Sequence, residues 1–210
     1  MRGSHLRFKE RHLSVGSQPS PLRPVVAALL LLIVAGCAGK AAPMKSLAEQ
    51  EVAVSALQHW QLDGRIALKR GSEGFAAGLD WNQAPVEFRV ELTGPLGETR
   101  VRLTGSSQYA TLELPDQPPL TSTDVETLLR DHFGWQLPVD QLRWWLRGLA
   151  GPAAVVRSRD EHGRIKQLVA DGWQVDYLAW QEVNGLWLPK RLEARNAEMS
   201  LKLALYDWQF

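Results

Sequence analysis

The chain has 210 residues, with 24 Lys/Arg against 23 Asp/Glu, nine Trp and a single cysteine. That length supports one domain with a sizeable core, and nothing in the near-balanced charge suggests a nucleic-acid surface. Cys37, having no second thiol, excludes a disulfide framework.

In chain order, Arg2, Arg7, Lys9, Arg11 and Arg23 precede an apolar run from Val25 that closes in small residues at Cys37. Basic, then apolar, then small is the order of a secretory signal peptide, and the run is too short to span a bilayer as a helix. Residues 1–36 are read as that signal peptide, 37–45 as the modified N-terminus and its tether, and 46–210 as the folded domain. The leader takes five basic residues and one acid with it, leaving 19 and 22, a net charge of −3.

Ser46 with Glu49 forms a capping-box pattern ahead of an amphipathic helix to about Gln58. The period then becomes two. Trp60, Leu62, Gly64, Ile66 and Leu68 alternate with polar residues, as do Phe75, Ala77, Leu79 and Trp81, then Val86, Phe88, Val90 and Leu92, then Thr99, Val101 and Leu103, then Ala110, Leu112 and Leu114. Five strands at short spacing joined by turns predict an antiparallel meander.

A helical insertion is expected over Thr121–Gly151, one helix capped by Thr123 with Glu126 and stopped at Gly134, a second opening at Pro138 and ending at Gly148. Strands then resume over Val155–Asp160, Arg164–Ala170, Trp173–Ala179, Leu186–Arg195 and Met199–Trp208, with Asn184-Gly185 as a strong hairpin turn. The prediction is mostly β with a helical insertion: about ten strands in a single curled antiparallel sheet, its apolar face covered by two short helices as a lid or plug.

Little in the chain points to catalysis. His59, His132 and His162 are scattered, and there is no Gly-x-Ser-x-Gly elbow, phosphate loop or Cys/His cluster, so neither catalytic residues nor a metal site is expected. Asp160-Glu161 beside Gly163 reads as a turn. Arg143 and Arg147 beside Trp144 and Trp145 read either as a cation-π rim or as a solvated helix face.

Several local patterns taken together carry a family resemblance. Val34-Ala35-Gly36-Cys37 resembles the bacterial lipobox, which implies cleavage before Cys37, a diacylglycerol on its sulfur and an acyl chain on its amine. Such multiple acylation anchors far more strongly than one chain, and this covalent lipid is the only prosthetic group expected. Ala38, where Asp would favour inner-membrane retention, implies the outer membrane, facing the periplasm. Trp60 with Gly64, Trp81, Leu92-Thr93-Gly94-Pro95-Leu96-Gly97, Gly134-Trp135-x-x-Pro138, Leu142-x-x-Trp145-Leu146-x-Gly148, Gly172-Trp173-x-Val175-x-Tyr177 and Lys202-Leu203-x-x-Tyr206-Asp207-Trp208 complete the pattern. In this order they resemble the LolB family of outer-membrane lipoprotein receptors over nearly the whole mature chain.

The resemblance implies a LolA/LolB-like incomplete β-barrel with a helical lid, working as a monomer. Its implied partners are the lipoprotein-loaded carrier LolA, lipoprotein acyl chains and the phospholipid bilayer, with no nucleic acid and no nucleotide. It also implies an acyl-chain cavity, for which the alternation supplies Leu62, Ile66, Leu68, Phe75, Leu79, Phe88, Val90, Leu92, Val101, Leu103, Leu112, Trp145, Trp173 and Tyr177 as candidates, each equally well an ordinary core residue. A protruding loop leucine that puts cargo into the membrane is implied at Leu96, flanked by Pro95 and Gly97; the family's loop often carries Asn where Gly94 stands here. The competing reading is an outer-membrane lipoprotein that acts as an assembly scaffold without lipid transfer.

Overall fold

A computed structural model describes residues 46–210. The expected signal peptide and tether, with Cys37, lie outside the described residues. The chain opens with α1 (Leu47–Ser55), whose capping box forms as expected: the Ser46 Oγ accepts from the Glu49 amide at 3.3 Å and Glu49 Oε2 accepts from the Ser46 amide at 2.7 Å. The expected amphipathic stripe is narrow, since only Val54 of this helix is buried and Val52 is exposed.

Six strands follow, β1 (Trp60–Arg70), β2 (Glu73–Gln83), β3 (Glu87–Thr93), β4 (Thr99–Ser106), β5 (Ala110–Glu113) and β6 (Leu120–Ser122). Then come α2 (Val125–Phe133) and α3 (Val139–Leu146), and five more strands, β7 (Val155–Arg159), β8 (Ile165–Ala170), β9 (Trp173–Val183), β10 (Leu186–Arg195) and β11 (Met199–Gln209). All pair antiparallel in one sheet of order β6-β5-β4-β3-β2-β1-β11-β10-β9-β8-β7. Among the described residues the strands number eleven, one above expectation, because β6 occupies the start of the stretch read as helical.

The first and last halves of the domain meet where β1 pairs with β11, so the sheet ends at β6 and β7 and does not close. The α2–α3 insertion is the chain's crossing between those two free edges. β7 is kept from templating further strands in the usual ways: it is five residues long, mostly exposed, carries Arg157 and Arg159, and its register slips twice against β8.

Period-two patterning decides which face turns inward. Trp60, Leu62, Ile66 and Leu68 on β1, Leu79 and Trp81 on β2, and Leu201, Leu203 and Leu205 on β11 are all buried. The outer face stays wet, with Arg102 bridging Glu91 at 2.9 Å and Glu113 at 3.1 Å across three strands. Gly64 sits at the one register shift of β1 against β11, where a Cβ would lie 2.5 Å from the Ala204 carbonyl oxygen. Only glycine tolerates that approach.

The cap of α2 differs from expectation. Asp124, one residue later than Thr123, accepts from the Thr127 amide at 2.6 Å, and the Thr127 hydroxyl, with that amide second, holds its carboxyl below the usual carboxylate range. Asp124→Ala is expected to cost about 1 kcal/mol, read as a lower urea midpoint. A depressed folded-state value gives stability that is fully present above the unfolded value near 4 and is lost as pH falls through the folded one, so the mutant and wild-type midpoints should draw together as the solution is acidified through that range.

Candidate functional site

The inner face of the sheet and the apolar sides of α2 and α3 face each other across a small hollow. It is lined by Ile66, Leu68, Leu79, Trp81, Val90, Leu92, Val101, Leu103 and Leu203 from the strands, and by Leu129, Phe133, Trp135, Leu137, Val139, Leu142 and Leu146 from the insertion. Every lining side chain is apolar or aromatic. The free space is about 60 Å³, where small-molecule sites run to roughly 300–1,000 Å³. The hollow is therefore shut in this conformation.

Seven of the fourteen expected lining residues border it: Ile66, Leu68, Leu79, Val90, Leu92, Val101 and Leu103. Leu62, Phe88, Leu112, Trp145, Trp173 and Tyr177 are buried in the surrounding core, and Phe75 is half-buried at the lid junction. Trp81 and Leu203 were readable by the same alternation that gave their neighbours. Of the insertion's contributors, Leu129, Phe133, Val139, Leu142 and Leu146 were readable from helical spacing, and Trp135 and Leu137 were not.

The two ends of the hollow differ. At one, Trp60 stacks on Trp81 at 5.9 Å and tilts against Trp208 at 5.4 Å, and Phe88 completes the plug. Trp81 donates its indole N–H to Gln83 Oε1 at 3.2 Å. The other end carries the β1–β2 and β3–β4 turns. There Phe75, Trp135 and Phe133 form a run of ring contacts at 5.7 and 4.5 Å between the sheet and the α2–α3 link, and Arg70 on β1 donates to the Gly134 carbonyl oxygen at 2.6 Å. These contacts bind the link to the rim. Arg70→Ala is expected to leave the fold intact and to speed amide exchange in the α2–α3 link severalfold relative to β1 and β11, measured by hydrogen–deuterium exchange mass spectrometry.

The same rim carries the β3–β4 loop. Gly97 N–H donates to the Gly94 carbonyl at 3.0 Å and Gly94 N–H to the Glu98 carbonyl at 2.9 Å, making a three-residue hairpin with Pro95 on its first corner and Gly97 at φ +83°. Glu98 braces it, accepting from the Leu96 amide at 3.1 Å and from Arg100 at 2.8 and 3.0 Å. The Arg100 guanidinium holds the Glu98 carboxyl below its ordinary range. Gly94 leaves space for the Glu98–Arg100 pair to fold over the backbone, space that an Asn there would fill. At the tip Leu96 is 95% exposed, the most exposed large apolar side chain among the described residues.

No catalytic constellation is assembled from the sequence candidates. His132 stands edge-on to Phe133, His162 lies in the β7–β8 turn, and Asp160 is spent on that turn, accepting from Arg164 Nε at 2.8 Å and from the His162 and Arg164 amides at 2.9 Å.

An open antiparallel sheet over an apolar hollow, stopped by two helices inserted between its free edges, is a fold that solved structures also show. A LolA superfamily protein from Nitrosomonas europaea aligns with TM-score 0.52 at 9% identity over 79% of this chain and 94% of its own. A putative outer membrane lipoprotein-sorting protein domain from Vibrio parahaemolyticus aligns with TM-score 0.55 at 12% identity, over 78% and 90%. The family model of the outer membrane lipoprotein LolB matches residues 58–208. Outer-membrane lipoprotein LolB of Stutzerimonas stutzeri is 37% identical over 202 residues, 90% of this chain and 97% of the relative, and that of Pseudomonas savastanoi pv. phaseolicola is 35% identical over 198 residues, 90% and 96%. The chain belongs to the LolB family of outer-membrane lipoproteins.

Proposed function

We propose that the protein receives the acyl chains of lipoproteins from a LolA-type periplasmic carrier and passes them into the inner leaflet of the outer membrane, without nucleotide, while Cys37 and its lipids hold it there. The observation that carries this reading is a wholly apolar hollow closed on one side only by a short helical insertion. Burying a methylene is worth about 0.8 kcal/mol, so an acyl chain of roughly 15 carbons costs on the order of 12 kcal/mol to expose to water. Free diffusion of a lipoprotein through the periplasm is therefore negligible, and cargo must pass between apolar surfaces.

The shut hollow is the unloaded state. Displacing α2, α3 and their link uncovers the inner faces of β1–β4 and β11, and the acyl chain takes over the contacts that Leu129, Leu142 and Leu146 make at rest. Lid-to-sheet burial and chain-to-sheet burial are of one kind, so opening is compensated by loading. Net transfer then requires tighter binding here than on the carrier. The test is to mix the full-length protein in detergent with carrier bearing a radiolabelled lipoprotein, then separate the two. Label moving to this protein supports the reading, and label staying on the carrier defeats it.

A further inference from the structure

The arginine pair on α3 plays no part in that reading. Arg143 lies over the Phe88 ring at 5.7 Å and pairs with Asp140, whose side chain is 70% exposed. Arg147, one turn on, lies over the Trp144 ring at 5.2 Å. It donates from Nε to the Arg143 carbonyl at 3.0 Å and from Nη1 to the Leu57 carbonyl at 3.2 Å. Both partners are neutral, and among the described residues no carboxylate forms an ion pair with Arg147. Burial lowers the proton affinity of both guanidiniums, and for Arg147 the charge of Arg143 adds to the effect. Of these two half-desolvated cations only Arg143 has a counter-charge, the solvated carboxylate of Asp140 at the edge of the neighbouring cleft.

They face a cleft of about 470 Å³ between the α1–β1 link, the β2–β3 turn and α3, whose other walls include Gln58, Trp60, Gln83 and Pro85. It lies outside the aromatic plug, at the end of the sheet opposite Leu96. A charge withdrawn from water without a counter-charge is costly, and an anion entering this cleft relieves both arginines together. A carboxylate offers two coplanar oxygens, which one guanidinium fork consumes. A phosphate offers oxygens in several directions and bridges two forks. The cleft is also far larger than a bare ion needs, and Trp60 and Pro85 give an organic substituent an apolar wall. We infer that this cleft binds a phosphate ester, its oxygens held between Arg143 and Arg147 and its organic part against Trp60 and Pro85. The site is independent of acyl-chain transfer and stands or falls separately.

The test follows the arginine Nε–H and Trp144 indole resonances of the ¹⁵N-labelled full-length chain in dodecyl maltoside. Inorganic phosphate, glycerophosphoglycerol or acetate is added at constant ionic strength. Saturable shifts with phosphate and with the headgroup analogue are expected, at least tenfold weaker in Arg147→Gln and unchanged in Arg65→Gln, which alters an exposed arginine on the outer face of β1. Tighter binding of glycerophosphoglycerol than of inorganic phosphate identifies a lipid headgroup as the source, and equal binding identifies free phosphate. Should Arg147→Gln lose its folded indole spectrum, Arg143→Gln carries the same tenfold expectation. Shifts that never saturate, equal binding of acetate, or undiminished binding in the arginine variants overturn the proposal.

Discussion

Replacing Leu96 by glutamate is expected to leave the thermal midpoint within about 2 °C of wild type and cargo capture from the carrier intact, while slowing delivery of cargo into liposomes at least tenfold. The first half follows from geometry: a side chain 95% exposed at a hairpin tip contributes nothing to the core, and surface changes of this kind stay within about 0.5 kcal/mol. The second half follows from partitioning. A leucine moved from water into the acyl boundary gains about 1.5–3 kcal/mol, whereas a carboxylate is penalised there. Losing the gain alone is a factor of ten or more. Pro95, Gly97 and the Glu98–Arg100 brace hold the loop in one shape, so little ordering entropy opposes its entry. The assay is flotation of liposomes after mixing with loaded protein, and equal delivery by mutant and wild type would remove Leu96 from the mechanism.

Truncating Trp145 to alanine is expected to cost about 3–5 kcal/mol, a large part of the 5–15 kcal/mol that holds a typical domain together. This indole has no exposed surface, leans on Trp173 at 6.1 Å, and belongs to the residue whose carbonyl accepts from the Tyr177 hydroxyl at 3.1 Å. It fixes α3 to β9, on the far side of the insertion from the lid junction. Among the described residues its buried indole N–H meets no acceptor, so Trp145→Phe gives back some of the packing loss by removing an unsatisfied donor and should cost less than half as much. Denaturant titration of both variants measures this; a loss below 1 kcal/mol for the alanine would show that α3 is held elsewhere.

Much of this architecture was legible because burial on one face of a sheet writes itself as alternation. Nearly every strand, the Gly134 stop and the Asn184-Gly185 turn could be placed from residue order. β6 could not: it is three residues long, follows Pro118-Pro119 and carries only Leu120 as an apolar side chain, so neither length nor period marks it. The displaced cap at Asp124 reflects two adjacent residues that both suit the role, between which only backbone geometry chooses. Phe133 and Trp135 escaped notice as rim residues because their importance arises from meeting Phe75, some sixty positions away, and no local pattern encodes that encounter. Leu96 was undecidable in sequence, since a Gly-Pro-Leu-Gly turn can tuck its leucine inward or present it. The three-residue hairpin, with Gly97 left-handed, decides for presentation.

The unpaired edges at β6 and β7 carry a mechanical consequence. In a closed barrel the number of strands and their stagger fix the girth, and widening it means tearing hydrogen bonds. Here the circumference has a seam, so the wall can splay like a cuff with every inter-strand ladder kept whole. On the function proposed above, the bore would widen to the thickness of an acyl chain without tearing the wall.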